Sequence, residues 1–241
     1  MRSALLIAGR ELRSYFRSPL ACVVAAAMLL VDGILFQARA LGAGAHLSAD
    51  VLFEFFWGTS GVTMIAAVAL SMRLIAQERE KGTLVLVNTA PVRDSQIVTG
   101  KFLALFAFLT GVTVITAYMP LLIFVNGRVS VGHILIGYLG IVLLTSASIA
   151  VGVFASALAR TQVVAAVLGS VILGTMLMAW MVAKVTEPPL NAFLNGLALH
   201  NQRQMPFMRG ELKLENVVYY LVVTYFFLLA ATKTLEARRW K

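Results

Sequence analysis

The segment Ala76–Lys101, AQEREKGTLVLVNTAPVRDSQIVTGK, decides how this sequence folds, because it places a charged, turn-rich stretch between two long apolar runs. Its charged residues, Glu78–Lys81, predict a helix that continues from the preceding run, and Gly82 interrupts that helix. The apolar patch Leu84–Val87 is too short to cross a bilayer. Pro91 predicts a turn before the next helix. The segment therefore predicts a structured protrusion rather than a simple connection.

The rest of the chain indicates that lipid is its solvent. Of 241 residues, 60% are hydrophobic and 13% are charged, whereas soluble domains carry about 25% charged residues. A membrane-spanning helix needs roughly 20 apolar residues. Six runs satisfy this length, at residues 19–38, 55–75, 102–125, 134–159, 161–183 and 216–232. The first run is longer than the apolar part of a signal peptide, so we expect it to remain as an anchor. The expected fold is a single all-α membrane domain over residues 1–241.

The distribution of basic residues predicts the orientation of the chain. With the N-terminus inside, the inner segments hold 14 lysine and arginine residues and the outer segments hold 6. Lysine and arginine accumulate on the cytoplasmic side of membrane proteins. We therefore expect both termini and the loop at residues 76–101 to be cytoplasmic. Asp94 or Ser95 is expected to cap the helix that leaves this loop.

Residues 1–18 predict an amphipathic helix that lies in the membrane interface. Leu5, Ala8, Gly9, Leu12 and Phe16 share one helical face, which we expect in lipid. Arg10, Arg13 and Arg17 fall on another face, which we expect at the headgroups.

Several classes of function are disfavoured by what the sequence offers. The net charge of +9 has no basic-aromatic soluble segment beside it, so we expect lipid headgroups rather than nucleic acid as the anionic partner. The single cysteine, Cys22, cannot form an intrachain disulfide. His46, His133 and His200 are far apart and expected at the surface or in the membrane interface, without metal-ligand spacing. The sequence contains no G-x-x-x-x-G-K-[ST] motif, so we expect no ATP hydrolysis by this chain.

Charged and small residues within the runs are further candidates. Asp32 is expected near the outer headgroups with a water or backbone partner, and Arg73 is expected to reach the inner surface. Small residues recur at four-residue spacing, which allows helices to approach closely. These residues are Ser148, Gly152 and Ser156 in the fourth run, and Ala166, Ser170 and Gly174 in the fifth. Packing within one subunit is the favoured interpretation, and a subunit interface or transport pathway is the alternative.

The external segment, residues 184–215, is longer than a connection requires. Its stretch PLNAFLNGLALH, residues 189–200, predicts a short re-entrant or interfacial helix.

The run MRLIAQEREKGTLVLVNTAPVRDSQIVTGKFLA, residues 72–104, resembles the loop motif of ABC type-2 transporter permeases. The matching residues are Met72, Arg73, Glu78, Gly82, Thr83, Pro91, Gly100 and Lys101, while Gln77 and Asn88 depart from the pattern. The carboxyl end, residues 207–240, is similar to the gliding-motility-type branch. The resemblance covers essentially the whole chain.

This resemblance implies the membrane half of an exporter in the inner (plasma) membrane. The loop between the second and third spans would be a coupling helix seated on a separate ATP-binding subunit, which would hold ATP and magnesium. The residues implied in coupling are Glu78, Lys81, Gly82, Thr83, Leu84 and Pro91. A second permease copy, identical or not, would complete the pathway, and a periplasmic or extracellular accessory protein could bind the external segment.

Other functions stay open on the sequence alone. An ion-coupled secondary transporter would require ionisable residues near the midplane, of which only Asp32 is offered. A membrane enzyme would require a catalytic cluster, and none is visible. A scaffold that transmits force or a signal without moving a substrate would use the same loop.

Overall fold

A computed structural model of the chain describes residues 2–40, 48–82, 93–123 and 130–239. Every regular element within these ranges is helical. The helices, numbered along the chain, are α1 (Arg2–Arg17), α2 (Pro19–Ala40), α3 (Ser48–Ser71), α4 (Ala76–Glu80), α5 (Asp94–Ile115), α6 (Tyr118–Leu122), α7 (Val131–Leu158), α8 (Gln162–Ala183), α9 (Leu190–Leu197), α10 (Met205–Met208) and α11 (Leu214–Arg239).

Six segments of the described chain are long and apolar enough to cross a membrane, which confirms the predicted number of spans. They are Pro19–Ala38, Ser48–Glu80, Asp94–Leu122, Val131–Leu158, Gln162–Ala183 and Leu214–Ala237. The second and third are composite, because each contains a break between a long helix and a short one. The all-α membrane fold expected from the apolar runs is therefore correct.

The helix α7 forms the centre of the bundle. It packs against α3, α5, α8 and α11, and it is the most buried of the six spans. Its second half, Thr145–Ala157, is rich in alanine, serine and glycine, and these small side chains let neighbouring helices approach closely. The spans α2, α8 and α11 lie at the periphery and expose most of their surface. Substitutions along α7 therefore disturb several helix contacts at once.

The N-terminal helix α1 forms as predicted, and one of its faces packs against a neighbouring helix. It packs along α5, where Ala4 and Ile7 contact the turn around Gly100. Tyr15 stacks on Phe108 of α5 with ring centroids 5.5 Å apart. On the face that we expect in lipid, Leu5, Gly9 and Phe16 are exposed, and its contact with lipid stays a prediction. The residue pattern gave the amphipathic period correctly, while the neighbouring helix decided which face is covered.

The predicted helix through Lys81 is also corrected. The helix of the second span ends at Ser71, and a turn over Met72–Ile75 separates it from α4. The chain then resumes helical structure at Ala76 and stops at Lys81, followed by Gly82 with a φ of 70°. That left-handed backbone conformation favours glycine, so the break expected at this position is explained.

The helix after the loop begins at Asp94, but neither predicted residue caps it. Arg93 occupies the N-cap position, and its backbone N–H donates to the Gln96 side chain at 3.2 Å. Asp94 is instead the first helical residue and is buried.

The segment between α8 and α11 folds onto the bundle. The helix α9, expected from PLNAFLNGLALH, packs against α8, and α10 packs against α7. The backbone N–H of Leu199 donates to the Met176 carbonyl of α8. We call this end of the bundle the opposite end, and the end that carries residues 76–82 the α4 end.

Candidate functional site at the α4 end

The turn between α3 and α4 is held by one serine of α7. The Ser156 hydroxyl accepts hydrogen bonds from the backbone N–H groups of Ile75 and Ala76 at 3.0 and 2.9 Å, and it donates to the Met72 carbonyl at 3.1 Å. A helix break leaves backbone groups without intrahelical partners. Ser156 satisfies three of them inside the protein, so it fixes α4 to the central helix.

One turn earlier on α7, Gly152 lets α3 approach closely. A Cβ atom at Gly152 would lie 1.8 Å from the Ser71 hydroxyl oxygen, a distance that no real contact allows. Ser148, one more turn toward the N-terminus of α7, is buried. The stripe Ser148, Gly152 and Ser156 thus lies within the subunit, where Gly152 and Ser156 contact the end of α3 and the turn that follows it.

A buried lysine links α4 to two other helices. Lys101 of α5 is 3% exposed, and its Nζ donates to Glu78 of α4 at 2.6 Å and to Glu11 of α1 at 3.3 Å. A buried charge is tolerated when it is paired and hydrogen bonded. This three-residue group, which we call the Lys101 joint, therefore connects α1, α4 and α5 through charge-assisted contacts.

The other side of α4 is tied to the connection between α7 and α8. The Arg79 guanidinium donates to the carbonyl groups of Ala157, at 3.2 Å, and Ala159. The Glu80 carboxylate accepts from the backbone and side chain of Gln162 at 3.3 and 3.1 Å. These contacts and the Lys101 joint hold α4 on both sides, so a displacement of α4 acts on α1, α5, α7 and α8 together.

A polar cavity of about 170 Å³ lies inside this arrangement. Its lining includes Ser14, Tyr15, Ser18, Arg73, Gln77 and Lys101. Arg73, expected to reach the membrane surface, is half-buried here, and its Nε donates to Gln77 at 3.1 Å. Burial raises the pKa of the Tyr15 phenol well above its usual range, with the Glu11 charge acting in the same direction, so the phenol stays neutral.

The residues proposed for coupling are only partly within the described chain. Glu78 points inward to Lys101, whereas Lys81 and Gly82 are exposed at the tip of α4. Thr83, Leu84 and Pro91 lie outside the described residues. The structure thus gives Glu78 an internal contact and leaves Lys81 accessible to a partner.

The second small-residue stripe has a different position from the first. On α8, Ser170 is exposed, and no atom lies within 4 Å of a Cβ built at Gly174. Ala166 is partly exposed on the same helix. Gly174 lines a cavity together with Leu194 and Leu197 of α9, so this stripe is less tightly packed than the stripe on α7.

Two polar residues are buried, and for His200 this contradicts the expected surface position. Asp32 is fully buried among helices, and its position near the outer headgroups stays a prediction. His200 is 6% exposed, and its Nε2 lies 2.7 Å from the Ser60 hydroxyl of α3. Burial lowers the pKa of His200 to about 4. His133 is half-buried, with Nε2 2.8 Å from the Met208 carbonyl, and His46 lies outside the described residues.

Neither the ion pair of Glu11 nor the hydrogen bonds of Ser156 were predicted from the sequence. Glu11 stood within a basic segment, and its partner Lys101 is 90 residues away. The available signal was the Gly100-Lys101 pair of the loop motif, which marked the lysine without giving its partners. Among the described residues, no group of three or more histidine, cysteine, aspartate or glutamate side chains could hold a metal ion.

Comparison with known families decides where this architecture belongs. The family model described as ABC-2 family transporter protein matches residues 5–221, nine-tenths of the chain. The chain belongs to the ABC-2 transporter family. The resemblance to ABC type-2 permeases is therefore confirmed, and the chain is a multi-pass membrane protein of a transport family. No curated protein matches this ABC-2 chain in the sequence comparison. Its assignment to the gliding-motility-type branch stays a prediction.

Proposed function

We propose that this chain is the permease subunit of an ATP-driven exporter, and that α4 transmits nucleotide-dependent movement of a separate ATP-binding subunit to the spans. Family membership supports the transport role. The Lys101 joint is the observation that carries the coupling role, because it connects α4 to α1 and α5 by contacts of 2.6 and 3.3 Å.

The accessible tip of α4 is the proposed docking point for the partner. Lys81 and Gly82 are exposed there, while Ser156 and Arg79 hold the base of α4 against α7. A short helix that is fixed at its base and exposed at its tip can carry a displacement without bending. Thr83, Leu84 and Pro91 complete the proposed docking element on the basis of the family resemblance alone.

The remaining parts of the assembly follow from the same proposal. The α4 end faces the cytoplasm of the cell's inner (plasma) membrane, because basic residues accumulate on that side. ATP and magnesium bind to the partner subunit. Two permease copies form the pathway, and the segment at residues 184–215 is the proposed contact for a periplasmic or extracellular accessory protein. The carboxyl end favours the gliding-motility-type branch.

Purification of the tagged chain from native membranes tests the proposal. In mild detergent, we expect mass spectrometry to find a stoichiometric partner that contains a G-x-x-x-x-G-K-[ST] motif, together with ATPase activity. Lys81→Glu should reduce recovery of that partner. Lys233→Glu is the matched control, because Lys233 is also an exposed lysine but lies on α11.

A second variant separates docking from transmission. Glu78→Gln removes an inward-facing charge, so the partner should still be recovered while its stimulation by the permease is lost. If the folded chain is recovered without an ATPase, from detergent and after cross-linking in membranes, the proposal is wrong.

A further inference from the structure

Asp32 is a carboxyl group inside a candidate membrane span, without a hydrogen-bond partner in the described part of the chain. It lies on α2 within Pro19–Ala38 and is 0% exposed. Neither carboxyl oxygen makes a hydrogen bond with any described residue. Asp32 forms no ion pair with any described lysine, arginine or histidine. Ionisable residues within spans are costly and are functional candidates by default.

Polar groups of α3 and α7 lie near this carboxyl group, and the α7 group in turn contacts a threonine at the α5–α6 break. The Thr59 hydroxyl of α3 is close enough to interact with Asp32, yet it forms no hydrogen bond of normal geometry and is 1% exposed. Tyr138 of α7 lies within electrostatic range of Asp32. The Tyr138 hydroxyl is 3.1 Å from that of Thr116, at the break between α5 and α6. The group therefore joins α2, α3, α7 and a discontinuous span.

An apolar layer covers this group toward the opposite end of the bundle. Three or four positions from each polar residue, on the side of the opposite end, lies a buried apolar residue, and these apolar residues form one cluster. They are Phe36 for Asp32, Phe55 and Phe56 for Thr59, Met119 for Thr116, and Ile134 for Tyr138. Phe36 and Phe55 contact edge to face at 5.7 Å, and Phe56 meets Tyr138 in the same way at 5.5 Å. This layer, which we call the Phe36 layer, lies between Asp32 and the opposite end of the bundle.

The chemistry of the site selects its ligand. An unpaired carboxylate without water is strongly disfavoured, whereas the neutral acid is tolerated and its O–H can donate to a hydroxyl oxygen. Thr59 supplies such an oxygen beside Asp32. A metal ion would require several oxygen atoms converging around a space of its own. The site supplies a single carboxyl group, and one carboxyl group is enough to bind a proton but not to coordinate a metal ion.

We propose that Asp32 is an occluded proton-binding site, and that the proton enters and leaves when the Phe36 layer separates. The step is simple association: a carboxylate oxygen takes up one proton and releases it unchanged. Tyr138 of α7 is the titratable group that interacts electrostatically with Asp32, and Thr59 of α3 lies beside Asp32 without titrating. Thr116 at the α5–α6 break contacts the Tyr138 hydroxyl. Proton binding at Asp32 does not require the ATP-binding partner.

Infrared spectroscopy of the full chain in lipid vesicles at neutral pH provides the test. We expect a carboxylic-acid C=O band that disappears in Asp32→Asn and persists in Asp50→Asn. Asp50 is the matched control, since it lies on α3 but is exposed. Absence of an Asp32-dependent acid band would overturn the proposal. Loss of the band on adding sodium or potassium would also overturn it, because the site would then bind a metal cation.

Two further variants keep the test decisive if Asp32→Asn does not fold. Thr59→Val removes the expected acceptor and should shift the frequency of the same band while Asp32 remains. Phe36→Ala opens the covering layer and should accelerate exchange of the acid proton for deuterium by about tenfold or more, since exchange reports local opening. An unshifted band in Thr59→Val together with unchanged exchange in Phe36→Ala would contradict the site and its layer.

Discussion

Replacement of Lys101 by methionine removes the cation that lies between Glu11 and Glu78, and it leaves two carboxylates facing an apolar side chain. Loss of one partner of a buried ion pair costs about 3–5 kcal/mol. Glu11 and Glu78 are 18% and 20% exposed, so water relieves part of this cost. We therefore expect a loss at the lower end, about 3 kcal/mol, which corresponds to a fall of about 6–12 °C in melting temperature for a chain of this size.

Thermal unfolding of the purified chain in detergent measures this loss, and double variants assign it to a partner. Glu78→Gln should restore more of the stability of Lys101→Met than Glu11→Gln does, because the Lys101–Glu78 distance is 2.6 Å and the Lys101–Glu11 distance is 3.3 Å. Removing the charges of both Lys101 and its glutamate partner lowers the stability less than removing the lysine charge alone, because no buried charge is left unpaired.

The control is Lys233→Met, whose partner Glu236 lies 2.8 Å away in an exposed pair, 69% and 43% accessible. We expect no measurable change there, because exposed pairs contribute little. An unchanged melting temperature in Lys101→Met, or the absence of any restoration by Glu78→Gln, would show that the Lys101 joint does not hold α4.

Three other perturbations probe the structure. Burial lowers the pKa of His200 from 6.5 to about 4, so the unfolded chain binds a proton at this residue more readily than the folded chain does. The free energy of unfolding should therefore be highest above about pH 6.5 and fall by up to about 3 kcal/mol toward pH 4. Melting curves of His200→Gln should lack this loss. Gly152→Val should abolish recovery of folded protein on size-exclusion chromatography, with partial recovery when Ser71→Gly is added, because the new Cβ would meet the Ser71 hydroxyl. Ser156→Ala leaves two buried backbone N–H groups without their acceptor, and it should cost about 1–3 kcal/mol in thermal unfolding, with exchange of those amides as the direct readout.

The spans and their order could be predicted because apolar length is a local property. Each of the six runs is long enough by itself, and a bilayer requires every backbone group of a span to be satisfied within a helix. The break at Gly82 was also predictable, since its φ of 70° is a conformation that glycine adopts readily. The helix Leu190–Leu197 followed from a short apolar stretch between proline and polar residues.

The candidate site was predictable only in part. The loop motif marked Glu78 and Lys101, but their contact joins residues 23 apart, and Glu11 joins them from 90 residues away. The periodicity of a segment gives the faces of its helix, and it does not say which neighbour covers a face. The helix α1 shows this, because α5 covers a face that includes Ile7 and Tyr15 and leaves Leu5 and Phe16 exposed.

The sequence by itself determined that this chain is a six-span helical membrane protein with a structured loop after the second span. Tertiary structure alone decided that Ser156 holds the break before α4, that Lys101 joins three helices, and that Asp32 and His200 are buried. The physical reason is range: hydropathy and backbone preference act within a few residues, whereas burial and hydrogen bonding depend on segments that only the packed bundle brings together.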